Sequence, residues 1–418
     1  MDMLLSRYGR ASTRSSPVSR MMSAFARTFR DGVDINLGVG YVNERTIPIA
    51  ALEEAMAAVA KDGATYRQAF NYGGPEGSPN LIAALRRFLG HDAAMQRKRL
   101  IVGSCGATSV LGALTEVLEP GIVVTSDPLY YIYADALERK GFEILAVPED
   151  AEGIELAALR RKLEALGSGA DKLAFFYVVT VNNPSCTILS NRRRRELLEI
   201  AAEWSGRQRR AIPIFFDLAY ELLLHDPARE PFVSVLPEDS LGIAYEIGTL
   251  SKVLAPALRI GYMQGPDGPL MNALVQNTSD TGFSAPLFVQ EMAAYLLDRG
   301  IGEQLRSVNA GYREKALAVG EGIRNQLGDF LAECRGGSAG FYYYLTFANL
   351  ETHPASRFFR NLTGDSPLPR VSYIPGEYCV HARGDLAEAG KRQLRLSYGF
   401  EETPRILRAL QLMRDAAG

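Results

Sequence analysis

The sequence predicts an α/β fold, with a large domain built on a mainly parallel seven-stranded sheet and a smaller α+β domain after it. Three observations predict it. From about residue 99 to 265, short apolar runs alternate with segments of helical periodicity, as strands joined by helical crossovers do. The runs are apolar almost throughout, which suits strands covered on both faces. After residue 286 the alternation gives way to long helical stretches with a few strands between them.

Taken in order, residues 1–30 hold six arginines, several serines and one acid, Asp2. That composition also fits a mitochondrial transit peptide. Ser16-Pro17, however, reads as an N-cap followed by proline at the first helical position. Met21, Met22, Phe25 and Phe29 then share one helical face. This helix leads into the first apolar strand without a cleavage-like break, so residues 1–45 are read as a structural arm that joins the smaller domain. The cytoplasm is the compartment expected.

The large domain is set at 46–300. Its strand candidates are 100–102, 122–124, 142–147, 173–179, 212–216, 243–249 and 259–263, with helical patterns at 107–118, 130–139 and 156–166. The small domain is set at 301–418. Helical stretches at 287–297 and 302–327 lead into it. A strand at 341–347, a helix at 355–362, a strand at 394–398 and a closing helix from Pro404 follow.

The bulk numbers exclude several classes. The 418 residues are 47% hydrophobic, enough for a sizeable core. A formal net charge of −2 calls for neither nucleic acid nor an anionic membrane as partner. The four cysteines form no C-x-x-C and the four histidines are scattered, so no metal site is expected. No apolar run reaches bilayer length.

Five segments fall at strand ends, where open α/β sheets bind ligands. Lys252 follows Thr249-Leu250-Ser251 and precedes Arg259 by seven residues. A Schiff-base lysine must be fixed and partly desolvated, and an arginine beside hydroxyls suits a phosphate. A solvated lysine after a strand is the ordinary reading of that segment alone. Asp217 ends the apolar run Ile214-Phe215-Phe216; a buried carboxylate there needs a cationic partner. A helix N-cap is the alternative. Tyr220 lies three residues on. Asn183-Pro184 marks a turn, either in a binding crevice or as a plain connection. Gly103-Ser104-Cys105-Gly106-Ala107-Thr108 joins a strand to a helix with small residues, as an anion cradle does, though such turns are common. Tyr130, after Asp127-Pro128-Leu129, suits stacking on a flat ring or a place in the core.

The order and spacing of these segments resemble the fold-type-I pyridoxal-phosphate (PLP) aminotransferases of class I/II, the aspartate-aminotransferase-like family. The resemblance covers nearly the whole chain. It runs from Asn36-Leu37-Gly38-Val39-Gly40 through Tyr72-Gly73-Gly74-Pro75-Glu76-Gly77, Gly106-Ala107-Thr108, Pro128-Leu129-Tyr130, Asn183-Pro184, Asp217 with Tyr220, Ser251-Lys252 and Arg259. It ends in Ile374-Pro375-Gly376 and Arg395-Leu396-Ser397-Tyr398.

The resemblance implies pyridoxal 5'-phosphate as cofactor, joined to Lys252 as a Schiff base, with Lys252 later moving the proton. It implies that Asp217 pairs with the ring nitrogen, that Asn183 and Tyr220 bond the ring hydroxyl, and that Tyr130 stacks on the ring. Gly106, Ala107, Thr108, Thr249 and Arg259 would hold the phosphate. Tyr72 would reach the phosphate of the other subunit, which implies a homodimer with shared active sites. Arg395 would grip the substrate carboxylate, with Gly40 and Asn183 beside it. The activity implied is transfer of an amino group between an amino acid and a 2-oxo acid.

Several positions depart from the family pattern. Asn183-Pro184-Ser185-Cys186 lacks the glycine that usually ends this turn. Asn182 stands where histidine is common, Ile82 replaces a frequent arginine, and Ala257 replaces a glycine. They suggest a divergent branch. The motifs fix the cofactor and not the bond that breaks, so a lyase, decarboxylase, racemase or cyclising synthase is the alternative. A third reading is a transcription regulator carrying such a domain. The roughly 35 residues before the first strand offer one helix, too little for a helix-turn-helix.

Overall fold

A computed structural model describes residues 3–364 and 367–418, so Asp2 lies outside it. The large sheet contains β1 (Arg99–Val102), β2 (Ile122–Asp127), β3 (Glu143–Asp150), β4 (Gly153–Ile154), β5 (Leu173–Val179), β6 (Ile214–Asp217), β7 (Ala244–Thr249) and β8 (Gly261–Gly265). Their spatial order is β1-β8-β7-β6-β5-β2-β3-β4. The seven expected strands are present, and β4, two residues long, adds an antiparallel edge.

Strands β3, β2, β5, β6 and β7 run parallel. Strand β8 is antiparallel to both β7 and β1. One end of the sheet therefore gathers the loops after β1, β2, β5, β6 and β7, together with the approach to β8. The last strand starts two residues later than its apolar pattern suggests. Arg259 has φ 54° and closes a 3-10 turn over Pro256–Leu258, so extended pairing begins only at Gly261.

The apolar runs pack on both faces, as expected. Phe175 and Phe215 point into one layer with Leu111, Leu114 and Leu137 of the helices Gly106–Val117 and Tyr131–Lys140. Phe176 and Phe216 point into the other with Leu159, Leu197 and Trp204. Leu197 and Trp204 belong to a helix, Asn191–Gln208, that the sequence reading missed. Four consecutive arginines, Arg192 to Arg195, mask its apolar stripe. Ser190 caps it by accepting from the Arg193 N–H.

The second sheet is antiparallel, in the order β9 (Leu331–Gly336), β10 (Tyr342–Phe347), β12 (Gln393–Ser397), β11 (Ile374–Pro375). The helices Ile301–Leu327 and Thr403–Ala417 pack against each other beside it.

The arm carries two helices rather than one. Arg7–Ala11 precedes Pro17–Arg27, and the second ends before Phe29. Past it, Ile35–Asn36 pairs in parallel with Val371–Ser372. Asp34, fully buried, anchors this seam by accepting from Arg30 Nη2 at 2.6 Å and Arg370 Nη2 at 2.7 Å. Breaking one side of a buried ion pair costs about 3–5 kcal/mol. Asp34→Ala is expected to lower unfolding stability by about 3 kcal/mol, read from the urea midpoint at unchanged slope.

Candidate active site

The loops at the shared sheet end enclose a cavity of ≈ 250 Å³. Lys252 stands one turn past β7, and its Nζ donates to the Gly40 carbonyl at 3.0 Å. The ammonium also lies over the Tyr220 and Phe341 rings, 5.3 and 5.5 Å from their centroids. Burial, then the positive charges of Arg395 and Arg259, lower its pKa to about 8, against the opposing pull of Asp217. The amine is thus poised to lose its proton near neutrality.

Asp217 ends β6 and lines the same cavity. Its Oδ2 accepts from the Tyr177 hydroxyl at 2.6 Å, and its Oδ1 from the Ala219 N–H at 2.9 Å. It caps no helix. Burial pushes its pKa up. Among the described residues no cation forms an ion pair with it.

Arg395 presents the opposite case. It projects from β12 and is 2% exposed. It donates to Asn183 Oδ1 at 2.8 Å and to the Gly38 carbonyl at 2.6 Å, and stacks over Tyr342 at 4.3 Å. Its Nε has no hydrogen-bond partner, and no acid among the described residues pairs with it. A buried guanidinium served only by neutral oxygens is costly unless an anion joins it.

The remaining predicted residues fall into three groups. Ala107, Thr108, Tyr130, Asn183, Tyr220 and Thr249 line the cavity, as do Arg259 and Gly40. Gly106 and Arg395 stand just behind that wall. Gly106 has φ +67°, and a Cβ there would meet the Arg259 guanidinium at 3.0 Å. Gly40 needs to be glycine for a similar reason: a Cβ would fall 2.7 Å from the Tyr342 hydroxyl. Tyr72 does not line the cavity. Its side chain is 83% exposed, and its ring sits 6.0 Å from that of Phe283.

Three further residues stand at the site without a role assigned from the sequence. Ser251 lines the cavity beside Lys252. Tyr342 shares a 2.7 Å hydrogen bond with the Tyr220 hydroxyl. Tyr177 holds Asp217, yet it sits inside the run Phe175-Phe176-Tyr177-Val178-Val179, where only its hydroxyl distinguishes it from core.

These groups fit a PLP-sized anionic aromatic. An uncompensated carboxylate suits a pyridinium, and an aromatic wall suits the ring. A guanidinium at the N-terminus of the helix Gly106–Val117 suits a phosphate. Among the described residues there is no cluster that could hold a metal ion and no helix long and apolar enough to cross a membrane.

The model of the family "Aminotransferase class I and II" matches residues 33–373. The chain belongs to this family. Among similar proteins is the aromatic-amino-acid aminotransferase 1 of Thermococcus litoralis, 28% identical over 234 residues, which cover 55% of this chain and 54% of that one. Another is YisV of Bacillus subtilis, an uncharacterized HTH-type transcriptional regulator, 26% identical over 67% of this chain and 52% of that one. The chain therefore spans about half the length of these curated relatives. The multiple substrate aminotransferase of Thermococcus profundus has the same fold, with a TM-score of 0.86 at 22% identity over 99% of this chain and 97% of that one.

Proposed function

We propose that this chain is a PLP-dependent aminotransferase, EC 2.6.1.-, which moves an amino group between an amino acid and a 2-oxo acid. The observation that carries the reading is a pair of buried, uncompensated charges, Asp217 and Arg395, set around one cavity with a lysine of lowered pKa. Membership of the family and the likeness to aminotransferase relatives support it.

When bound, PLP supplies an electron sink that stabilises negative charge at the amino acid Cα. Asp217, steered by Tyr177, holds the ring nitrogen protonated. Asn183 and Tyr220 bond the ring hydroxyl, and Tyr130 covers the ring face. Gly106, Ala107, Thr108, Thr249 and Arg259 hold the phosphate. Arg395 binds the substrate α-carboxylate beside Gly40 and Asn183 and so orients the Cα–H bond. Lys252 would take the proton from the substrate Cα as base and, as the resulting ammonium, hold it for return as acid. Tyr72 serves the neighbouring subunit's phosphate site in a homodimer. We place the protein in the cytoplasm and divide it into an arm (1–45), a large domain (46–300) and a small domain (301–418).

The decisive test mixes the purified PLP-loaded protein with single amino acids and no oxo acid. A transaminase converts the cofactor stoichiometrically to its pyridoxamine form, seen as a shift in absorbance. Return of the starting spectrum with release of ammonia or carbon dioxide would replace this reading with a lyase or decarboxylase.

The lowered pKa of Lys252 gives a second test. Only the unprotonated amine captures the cofactor. The rate of PLP capture by the apo-protein, followed by stopped-flow absorbance, is expected to rise with pH and level off above about 8. A rise continuing toward the ordinary lysine range would contradict this placement of the amine.

A further inference from the structure

The departures in the Asn182-to-Cys186 turn have a structural counterpart in strand β3. Glu149, near the end of that strand, has a side chain only 3% exposed. Both its oxygens are engaged by the turn. Asn182 Nδ2 donates to Oε1 at 2.8 Å and Ser185 Oγ donates to Oε2 at 2.8 Å. Asn182 Nδ2 also donates to the Pro128 carbonyl at 2.8 Å. The Glu149 carboxylate thus pins the turn bearing Asn183, and through Asn182 that turn is also tied to the loop bearing Tyr130.

The turn needs this support. Cys186, where the family usually has glycine, holds φ +52°, a left-handed conformation that costs a non-glycine residue about 1–2 kcal/mol. Its Sγ fills the space beside Gly340, where an added Cβ would fall 2.7 Å from the sulfur. Between the two side chains that grip Glu149 lies Asn183, whose Oδ1 receives Arg395. The cation nearest Glu149 comes from the other sheet: Arg335 on β9, with Nη1 3.9 Å from Oε2.

We propose that Glu149 is a positioning residue for the substrate-carboxylate grip, holding Asn183 and through it Arg395, with Arg335 of the small sheet balancing its charge. The proposal rests on the aminotransferase reading of the site. The groups facing Glu149 are Arg335, which also pairs with Glu333, together with the hydroxyl of Tyr344 and the thiol of Cys186. Burial, opposed by Ser185 and Arg335, raises the Glu149 pKa to about 7. Below that pH one oxygen carries a proton and can no longer accept from both donors.

The test uses the PLP-loaded protein and the most active amino acid of the panel. Glu149→Gln keeps the shape but replaces one acceptor by a donor. It is expected to raise KM about tenfold, with kcat within about threefold and the Kd for PLP, from absorbance titration, unchanged. Arg335→Met is expected to raise KM in the same direction by a smaller factor. In the wild type, KM is expected to rise as pH falls through about 7, and this rise is absent in Glu149→Gln.

An unchanged KM in both variants overturns the proposal, as does a pH rise that survives in Glu149→Gln. A joint fall of kcat, PLP affinity and melting temperature also overturns it, since that marks a purely structural group. Should Glu149→Gln fail to fold, Arg335→Met and the wild-type profile decide the matter. If the wild type transaminates nothing, the aminotransferase reading itself has failed.

Discussion

Lys252→Ala is expected to lower turnover by roughly 10⁴-fold or more, because it removes both the tether and the proton-transfer group. The fold is expected to survive. Lys252 makes one hydrogen bond, to the Gly40 carbonyl, and its wild-type amine is partly desolvated at a cost that alanine does not incur. Two measurements check the claim. Borohydride reduction followed by peptide mass spectrometry is expected to fix the cofactor on Lys252 in the wild type and on no residue in the variant. Circular-dichroism melting is expected to show a midpoint at or above the wild-type value. A variant that retains a tenth of wild-type turnover would place the chemistry on another side chain.

Asp217→Asn is expected to be the second largest effect. The asparagine keeps the volume and its oxygen can still accept from the Tyr177 hydroxyl, although its amide nitrogen no longer accepts from the Ala219 N–H. The negative charge is lost, however, and with it the partner of the ring cation. Breaking one side of a buried charge pair costs about 3–5 kcal/mol, which corresponds to roughly 10²–10⁴-fold in rate. Steady-state kcat should fall by that amount, and PLP binding should weaken in an absorbance titration. Asp217→Glu, which restores the charge at a displaced position, is expected to recover part of kcat. Equal losses in both variants would point to shape rather than charge.

Residues whose chemistry conflicts with their surroundings were the legible part of this site. Asp217 stood out because a carboxylate closing an apolar strand demands a partner, and Lys252 because hydroxyls and an arginine recur around it at short spacing. The parallel core was legible for a related reason: strands buried on both faces are apolar throughout, as in the run ending at Val179. Tyr177 carried no such conflict, since a tyrosine among phenylalanines reads as core until its hydroxyl is seen on Asp217. Glu149 was hidden differently. It sits at the polar end of a strand whose neighbour, Pro148, and successor, Asp150, already suggest a surface. The helix Asn191–Gln208 was lost to its arginines, of which Arg194 is fully buried and paired with Glu221. Strand β9 was missed because its residues are mostly exposed and lack an apolar period.

The seam that Asp34 makes with Arg370 spans 336 positions of the chain. A ribosome adding about 5–20 residues per second takes roughly 15–70 s to cover that distance. Ile35 and Asn36 leave the exit tunnel long before Val371 and Ser372 exist to pair with them. During that interval an unpaired strand and a buried-type aspartate stay in water while the eight-stranded sheet is completed. Nascent chains halted once Gly261–Gly265 has cleared the exit tunnel but before Arg370 is made should therefore have the sheet but leave the arm accessible to protease, and its protection should appear only once the seam has emerged.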